Sequence, residues 1–206
     1  MTRLSYSIAC ISCVAALLVL SQGCQPTPVA PPAPLPIHVP VDHRICDGSV
    51  LFWQGGLLVK PIHRLTDSDI THAAIILYIN DEPWVYEAVP PCVHKVRLAD
   101  YLKEMEAKSH KPASQKRDFT WFIIQPRVPY TPAQLASMKR HAESQLGRPY
   151  MLRGWWKGHE VRGIFCSQLV GDIIEESGKI KAGGVHESPA SLYKKLLAFY
   201  DKQSGV

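Results

Sequence analysis

Seven prolines fall within the sixteen residues from Gln25 to Pro40, and no charged side chain stands among them. Proline fixes φ and offers no backbone N–H, so such a run favours extended polyproline II and cannot build a core. It reads as a semi-rigid spacer, and it divides the chain. Ahead of it, residues 1–23 carry the three parts of a secretion signal: Arg3, an apolar run from Ile8 to Leu20, and the small residues Ser21 and Gly23 around Gln22. Behind it, residues 41–206 are enough for one domain with its own core and too few for two large ones. Hydrophobic residues make up 46% of the chain and charged residues 20%, which excludes a mostly disordered protein. After the signal no stretch offers the roughly 20 apolar residues of a spanning helix. The net charge of +5 is scattered among acids, and no nucleic-acid partner is expected.

Cys24 directly follows the small residue Gly23, which resembles a bacterial lipoprotein signal whose cysteine is acylated. The aliphatic Leu20 stands one place earlier than that pattern has it. The expected protein is therefore exported and tethered through Cys24 to a membrane of the cell envelope, with residues 24–40 as the spacer. Cys10 and Cys13 would leave with the signal, so Cys46, Cys92 and Cys166 remain. An odd number in an oxidising compartment leaves two arrangements open. Either Cys46 pairs with Cys92 and Cys166 keeps a free thiol, or all three are buried.

Strand signals come first along the domain. Gly48 to Gln54 is rich in β-formers and ends at Gly55-Gly56. Thr71 to Ile79 is nearly continuously apolar, which predicts burial on both faces. Asn80 to Pro83 reads as a turn, and Trp84 to Ala88 as the returning strand. Arg97 to Glu106 can hold a short helix, Lys108 to Asp118 reads as a polar loop, and Phe119 to Gln125 as a fourth strand closed by Pro126. Helical signals follow: Thr131-Pro132 as cap and first residue, with apolar spacing to Leu146 and a stop at Gly147; Cys166 to Ser177 before Gly178; and Ser188-Pro189 opening a last helix through Tyr200. Strands before helices predict an α+β fold around an antiparallel sheet.

Cys166 stands where a helical pattern begins, and a helix N-terminus stabilises a thiolate. It is either a nucleophile or a buried structural cysteine. His72 starts the second strand and Glu87 lies near the end of the third. Across an even-length turn the two project from one face, offset by one or two same-face positions. They are either an imidazole oriented by a carboxylate or a satisfied core histidine and a solvated charge. From Arg148 to Arg162 the chain carries Tyr150, Trp155 and Trp156 among cations, either a substrate-binding lid or aromatic core plugs.

THAAIIL, WVYEA, LGRPY and FCSQLV, in this order, resemble the circularly permuted NlpC-type papain-like cysteine hydrolases, the YiiX-like group. The resemblance spans about Cys46 to Leu197, and His72 precedes Cys166 as the permutation requires. It implies a permuted papain-like fold, Cys166 as nucleophile, His72 as general base and acid, and Glu87 as the group orienting the histidine. It also favours Tyr150 over Trp155 as a substrate-binding residue, near the oxyanion. The chain departs from the family's pattern with Asp47-Gly48-Ser49 in place of an opening Gly-Asp, and with a longer histidine-to-glutamate interval.

The function expected is an exported cysteine hydrolase acting on an amide bond through an acyl-enzyme, with a cell-wall peptide as substrate. Two alternatives remain: a lipid acyl hydrolase or acyltransferase with an acyl-chain substrate, and a binding module on the same fold. The nine histidines are dispersed, with no HExxH and no pairing of close Cys/His ligand sets, and no P-loop or dinucleotide fingerprint occurs. No metal and no cofactor is expected.

Overall fold

Eight consecutive buried residues, Ile70 to Leu77, set the middle of the sheet. A strand covered on both faces must be an inner one, and burying each Ile or Leu contributes about 1.5–3 kcal/mol. The structure, a computed structural model, describes residues 45–55, 68–109, 120–151, 163–184 and 187–202. The signal, Cys24, the spacer, Trp155, Trp156 and most of the loop at 108–118 lie outside the described residues.

Six antiparallel strands run β1 (Ser49–Gln54), β2 (Ile70–Ile79), β3 (Glu82–Ala88), β4 (Val93–Arg97), β5 (Thr120–Pro126) and β6 (Tyr200–Lys202), in the spatial order β4-β3-β2-β1-β5-β6. Helix α1 (Leu98–Ser109) covers one face, where Leu98, Tyr101 and Met105 pack on Leu51, Ala74, Ile76 and Val85. Helices α2 (Pro132–Ser144), α3 (Cys166–Glu175) and α4 (Pro189–Leu196) cover the other, through Met138, Leu169, Ile173 and Leu192. The α+β expectation holds.

Several boundaries differ from the sequence reading. The turn between β2 and β3 is only Asn80-Asp81, both at positive φ (51° and 62°), and Pro83 pairs with Tyr78 inside the hairpin. Asn and Asp tolerate this conformation, and its twist matches the strands it joins. β4 was not expected, because VHKVR alternates poorly. The last helix stops at Leu196, and Tyr200 begins an edge strand instead. Its phenol meets Tyr130 Oη at 2.8 Å and donates to the Gly48 carbonyl at 3.1 Å, so tertiary contacts override the helical spacing.

The expected capping at Thr131 is present as a full capping box with Gln134. Asp47, the departure at the head of the first strand, accepts the Tyr78 N–H at 3.1 Å and pairs with Lys139 at 2.7 Å. It ties β2 to α2. Neither arrangement of the cysteines holds: Cys46 is exposed and is not bridged to Cys92. Cys46 precedes β1, whereas Cys92 follows β3 at the opposite end of the sheet and two strands away. That separation exceeds the roughly 7 Å a disulfide can span.

Candidate active site

His72 is the third residue of β2, and Glu87 the sixth of β3. The register pairs Ile75 with Tyr86, so continuing it sets Glu87 opposite Ala74, one same-face step from His72. That is the smaller of the two offsets the hairpin allowed. The gap closes fully: His72 Nε2 lies 2.8 Å from Glu87 Oε2, and both side chains are buried.

Three groups the sequence did not single out complete this corner. Tyr101, on α1, donates its phenol to the same Glu87 oxygen at 3.1 Å. His94, paired with Glu87 across β3 and β4, sets its Nε2 3.1 Å from Oε1. Trp53, the β1 neighbour of His72, packs its ring on the imidazole with centroids 4.3 Å apart. The only available sequence signal was indirect: a histidine seven residues beyond Glu87 and an aromatic in the following helix.

Cys166 arrives from the opposite side as the first residue of α3. With His72 Nε2 engaged by Glu87, Nδ1 is the nitrogen left for the thiol. Cys166 hydrogen-bonds His72 and also takes the backbone N–H groups of Ala73 and Ser167. The N-cap residue Phe165 offers no side-chain cap, and the Ser167 N–H of the first turn of α3 is turned to the Cys166 sulfur instead.

Charge follows from this packing. Burial alone would push the Cys166 thiol up, but the facing His72 charge and hydrogen bond, with the two N–H groups, hold it below its ordinary value. Burial alone would lower His72. The thiolate's charge and hydrogen bond, then Glu87, outweigh it and raise the imidazole to about 9. Glu87 would likewise be raised by burial, yet bonds from His72 and His94 hold it well below the carboxylate range. These directions favour a thiolate facing an imidazolium, backed by a charged carboxylate.

Tyr150 reaches the same place through backbone pairing. Residues 147–150 run against 91–93, with Val93 donating to the Arg148 carbonyl and Tyr150 to that of Pro91, both at 2.9 Å. Met151 and Ile164 then pair around Gly163, and Tyr150 bridges Ile164, two residues before the cysteine. Burial, then the charge on Cys166, push the Tyr150 phenol up, which places that phenol within the thiolate's field. Trp155, the other expected substrate contact, lies outside the described residues.

Gly163 makes this approach possible. A Cβ there would stand 2.3 Å from Met151 Cβ and 2.8 Å from the Pro149 carbonyl oxygen. Gly163→Ala is therefore expected to destabilise the fold by about 1–3 kcal/mol. Because the strain falls between Tyr150 and Cys166, it should also slow Cys166 alkylation more than an equally destabilising change elsewhere. Urea titration and labelling rates check the pair of effects.

The description "permuted papain-like amidase enzyme, YaeF/YiiX, C92 family" matches residues 44–198. The chain belongs to this family. Among solved structures, one titled as the metalloprotein YiiX from Escherichia coli O157:H7 shares the fold with a TM-score of 0.57. It is 16% identical, and the match covers 79% of this chain and 98% of that one. No curated protein matches the chain. The family supports a cysteine hydrolase of amidase type.

The YiiX protein is described as a metalloprotein. Among the described residues no three His, Cys, Asp or Glu groups are arranged to hold a metal ion. His72 and His94 both turn Nε2 onto Glu87 rather than toward a common open position. The corner fits a charged hydrogen-bond cluster, and it does not fit a metal centre.

Proposed function

We propose that this C92 amidase family member cleaves amide bonds with Cys166 as nucleophile, His72 as proton carrier and Glu87 as its orienting group. The observation that carries the reading is the His72–Glu87 pair at 2.8 Å, with the same imidazole bonded to a thiol at a helix N-terminus.

The thiolate would attack the amide carbonyl carbon, and the pair of electrons displaced from the C=O bond would come to rest on its oxygen. Backbone N–H groups at the start of α3 and the Tyr150 phenol would stabilise that charge. Collapse would expel the amine, which takes the proton from His72, and leave an acyl-Cys166 thioester. Neutral His72 would then take a proton from the water that attacks the thioester; collapse expels the Cys166 thiolate and releases the carboxylic acid, and the proton kept on His72 restores the thiolate–imidazolium pair. Glu87 keeps its charge throughout, fixing the imidazole with Nδ1 toward the sulfur.

The leader and Cys24 support an exported enzyme tethered to a membrane, and the amidase family then favours a cell-wall peptide as substrate. Digestion of muropeptides, read as a new amine and a shortened stem by mass spectrometry, tests that part. No cleavage of any stem peptide would remove it.

The chemistry has its own test. Iodoacetamide should label Cys166 rapidly at pH 5–6, and His72→Ala should slow labelling at least about tenfold, because the imidazolium that supports the thiolate is gone. Slow labelling in the wild type, unchanged by His72→Ala, would end the proposal.

A further inference from the structure

Glu87 has two oxygens, and the catalytic reading uses one. The other belongs to His94, whose Nε2 lies 3.1 Å from Oε1. The two imidazoles thus hold one carboxylate from both sides, with unequal access to water: the His94 side chain is 39% exposed, whereas that of His72 is 7% exposed. Tyr101 adds a third donor, on the His72 side. We propose that His94 is a positioning residue that acts through Glu87 and contributes a cation to the thiolate–imidazolium site. The inference rests on the catalytic reading above.

Geometry supplies the first part. A carboxylate bonded at only one oxygen can rotate about its Cγ–Cδ bond, and the His72 ring would turn with it. A donor on Oε1 removes that freedom, so the ring keeps Nδ1 on Cys166.

Charge supplies the second. Among the described residues, the groups around His94 are the Glu87 carboxylate from β3 and, beyond it, His72 from β2 and Tyr101 from α1; its Nδ1 lies 3.4 Å from the Cys92 carbonyl. The nearby cations are committed elsewhere: Lys95 pairs with Glu143, and Arg148 donates to Gln145 and to the Gly163 carbonyl. His94 therefore answers to Glu87. Its bond to that carboxylate, outweighing burial, raises it above the ordinary imidazole value, so it carries charge in weak acid.

The sign follows. A cation near Cys166 favours the thiolate, so removing it moves the pH at which the thiolate forms upward. His94→Gln keeps a donor for Oε1 and removes the charge, whereas His94→Ala removes both. Iodoacetamide labelling of Cys166 in the full chain, followed from pH 4 to 8 by mass spectrometry, reads both effects. Both variants should shift the midpoint up by about 0.5 pH unit, since a charge acting at this range through a partly solvated path is worth roughly that. His94→Ala should also lower the plateau rate about three- to tenfold, and His94→Gln should restore most of it.

Midpoints and plateaus unchanged in both variants, with His72→Ala still suppressing the reaction, would overturn the role of His94 and leave the catalytic reading standing. A wild-type thiol that titrates as an ordinary one would sink both. A shift in His94→Ala that His94→Gln fully reverses would assign the effect to the hydrogen bond and overturn the contribution of charge. His94→Gln is close in shape and retains the bond, so a folding failure of His94→Ala would not obscure the result.

Discussion

Cys166→Ala is expected to reduce amide hydrolysis about 10⁴-fold or more, while the near-ultraviolet dichroism stays that of the wild type. In the proposed mechanism the sulfur is the atom that forms the acyl bond, and no other described thiol is near His72. Removing it creates only a small gap at the start of α3, where backbone bonds from Leu169 to Phe165 and from Ile164 to Pro149 remain. Stability should therefore fall by no more than about 1–2 kcal/mol. The variant should also bind substrate without turning it over, which makes it the form to use for capturing a ligand. Retained hydrolysis in this variant would exclude Cys166 from the reaction.

Glu87→Ala should have the larger effect on the fold. The buried carboxylate accepts from His72 and Tyr101 on one oxygen and meets His94 on the other. Taking it away leaves buried donors unpaired, at about 3–5 kcal/mol near neutral pH. His72 loses a partner that supports its charge, so burial regains weight and the thiolate weakens with it. Labelling of Cys166 at pH 6 should fall toward that of an ordinary thiol. Glu87→Gln keeps the shape and some of the bonds, and should cost less in both respects than Glu87→Ala, and less in rate than His72→Ala.

The pH dependence has a definite sign. Because the folded protein holds Glu87 below its ordinary value of 4.5, its contribution is complete above that pH and is lost as pH falls through the folded value. The Tm difference between wild type and Glu87→Gln should narrow from pH 6 to pH 3. A gap that stays constant or widens over that range would mean that Glu87 is not the charged anchor described here.

Much of this arrangement can be read before the coordinates, and the reasons differ by residue. The continuous apolar run of β2 places that strand inside the sheet, and the hairpin parity puts His72 and Glu87 on one face. Cys166 is marked by its place at a helix start, but only the resemblance joins it to His72, since 93 residues of chain intervene. His94 and Tyr101 escape because their importance lies in reaching one carboxylate through space. Their own neighbours in sequence, VHKVR and LADYL, carry no pattern that says so. Tyr150 depends on backbone pairing between 147–150 and 91–93, a link that no local propensity encodes. The misread end of the last helix has the same origin, since Tyr200 answers to Tyr130 and Gly48 rather than to its helical neighbours.

The permuted order has a consequence for how the protein matures. His72, Glu87, His94 and Tyr101 all lie between residues 72 and 101, on β2, β3, β4 and α1, which are joined by short connections. Contacts this local can form early, whereas α3 must close a much longer loop to reach β2. Until it docks, Cys166 lacks the imidazolium and the Ala73 N–H, and its sulfur stays mostly protonated and slow toward disulfides and oxidants. The order of the chain thus delays the appearance of a reactive sulfur until folding is complete, which protects a nascent polypeptide from forming mixed disulfides through Cys166.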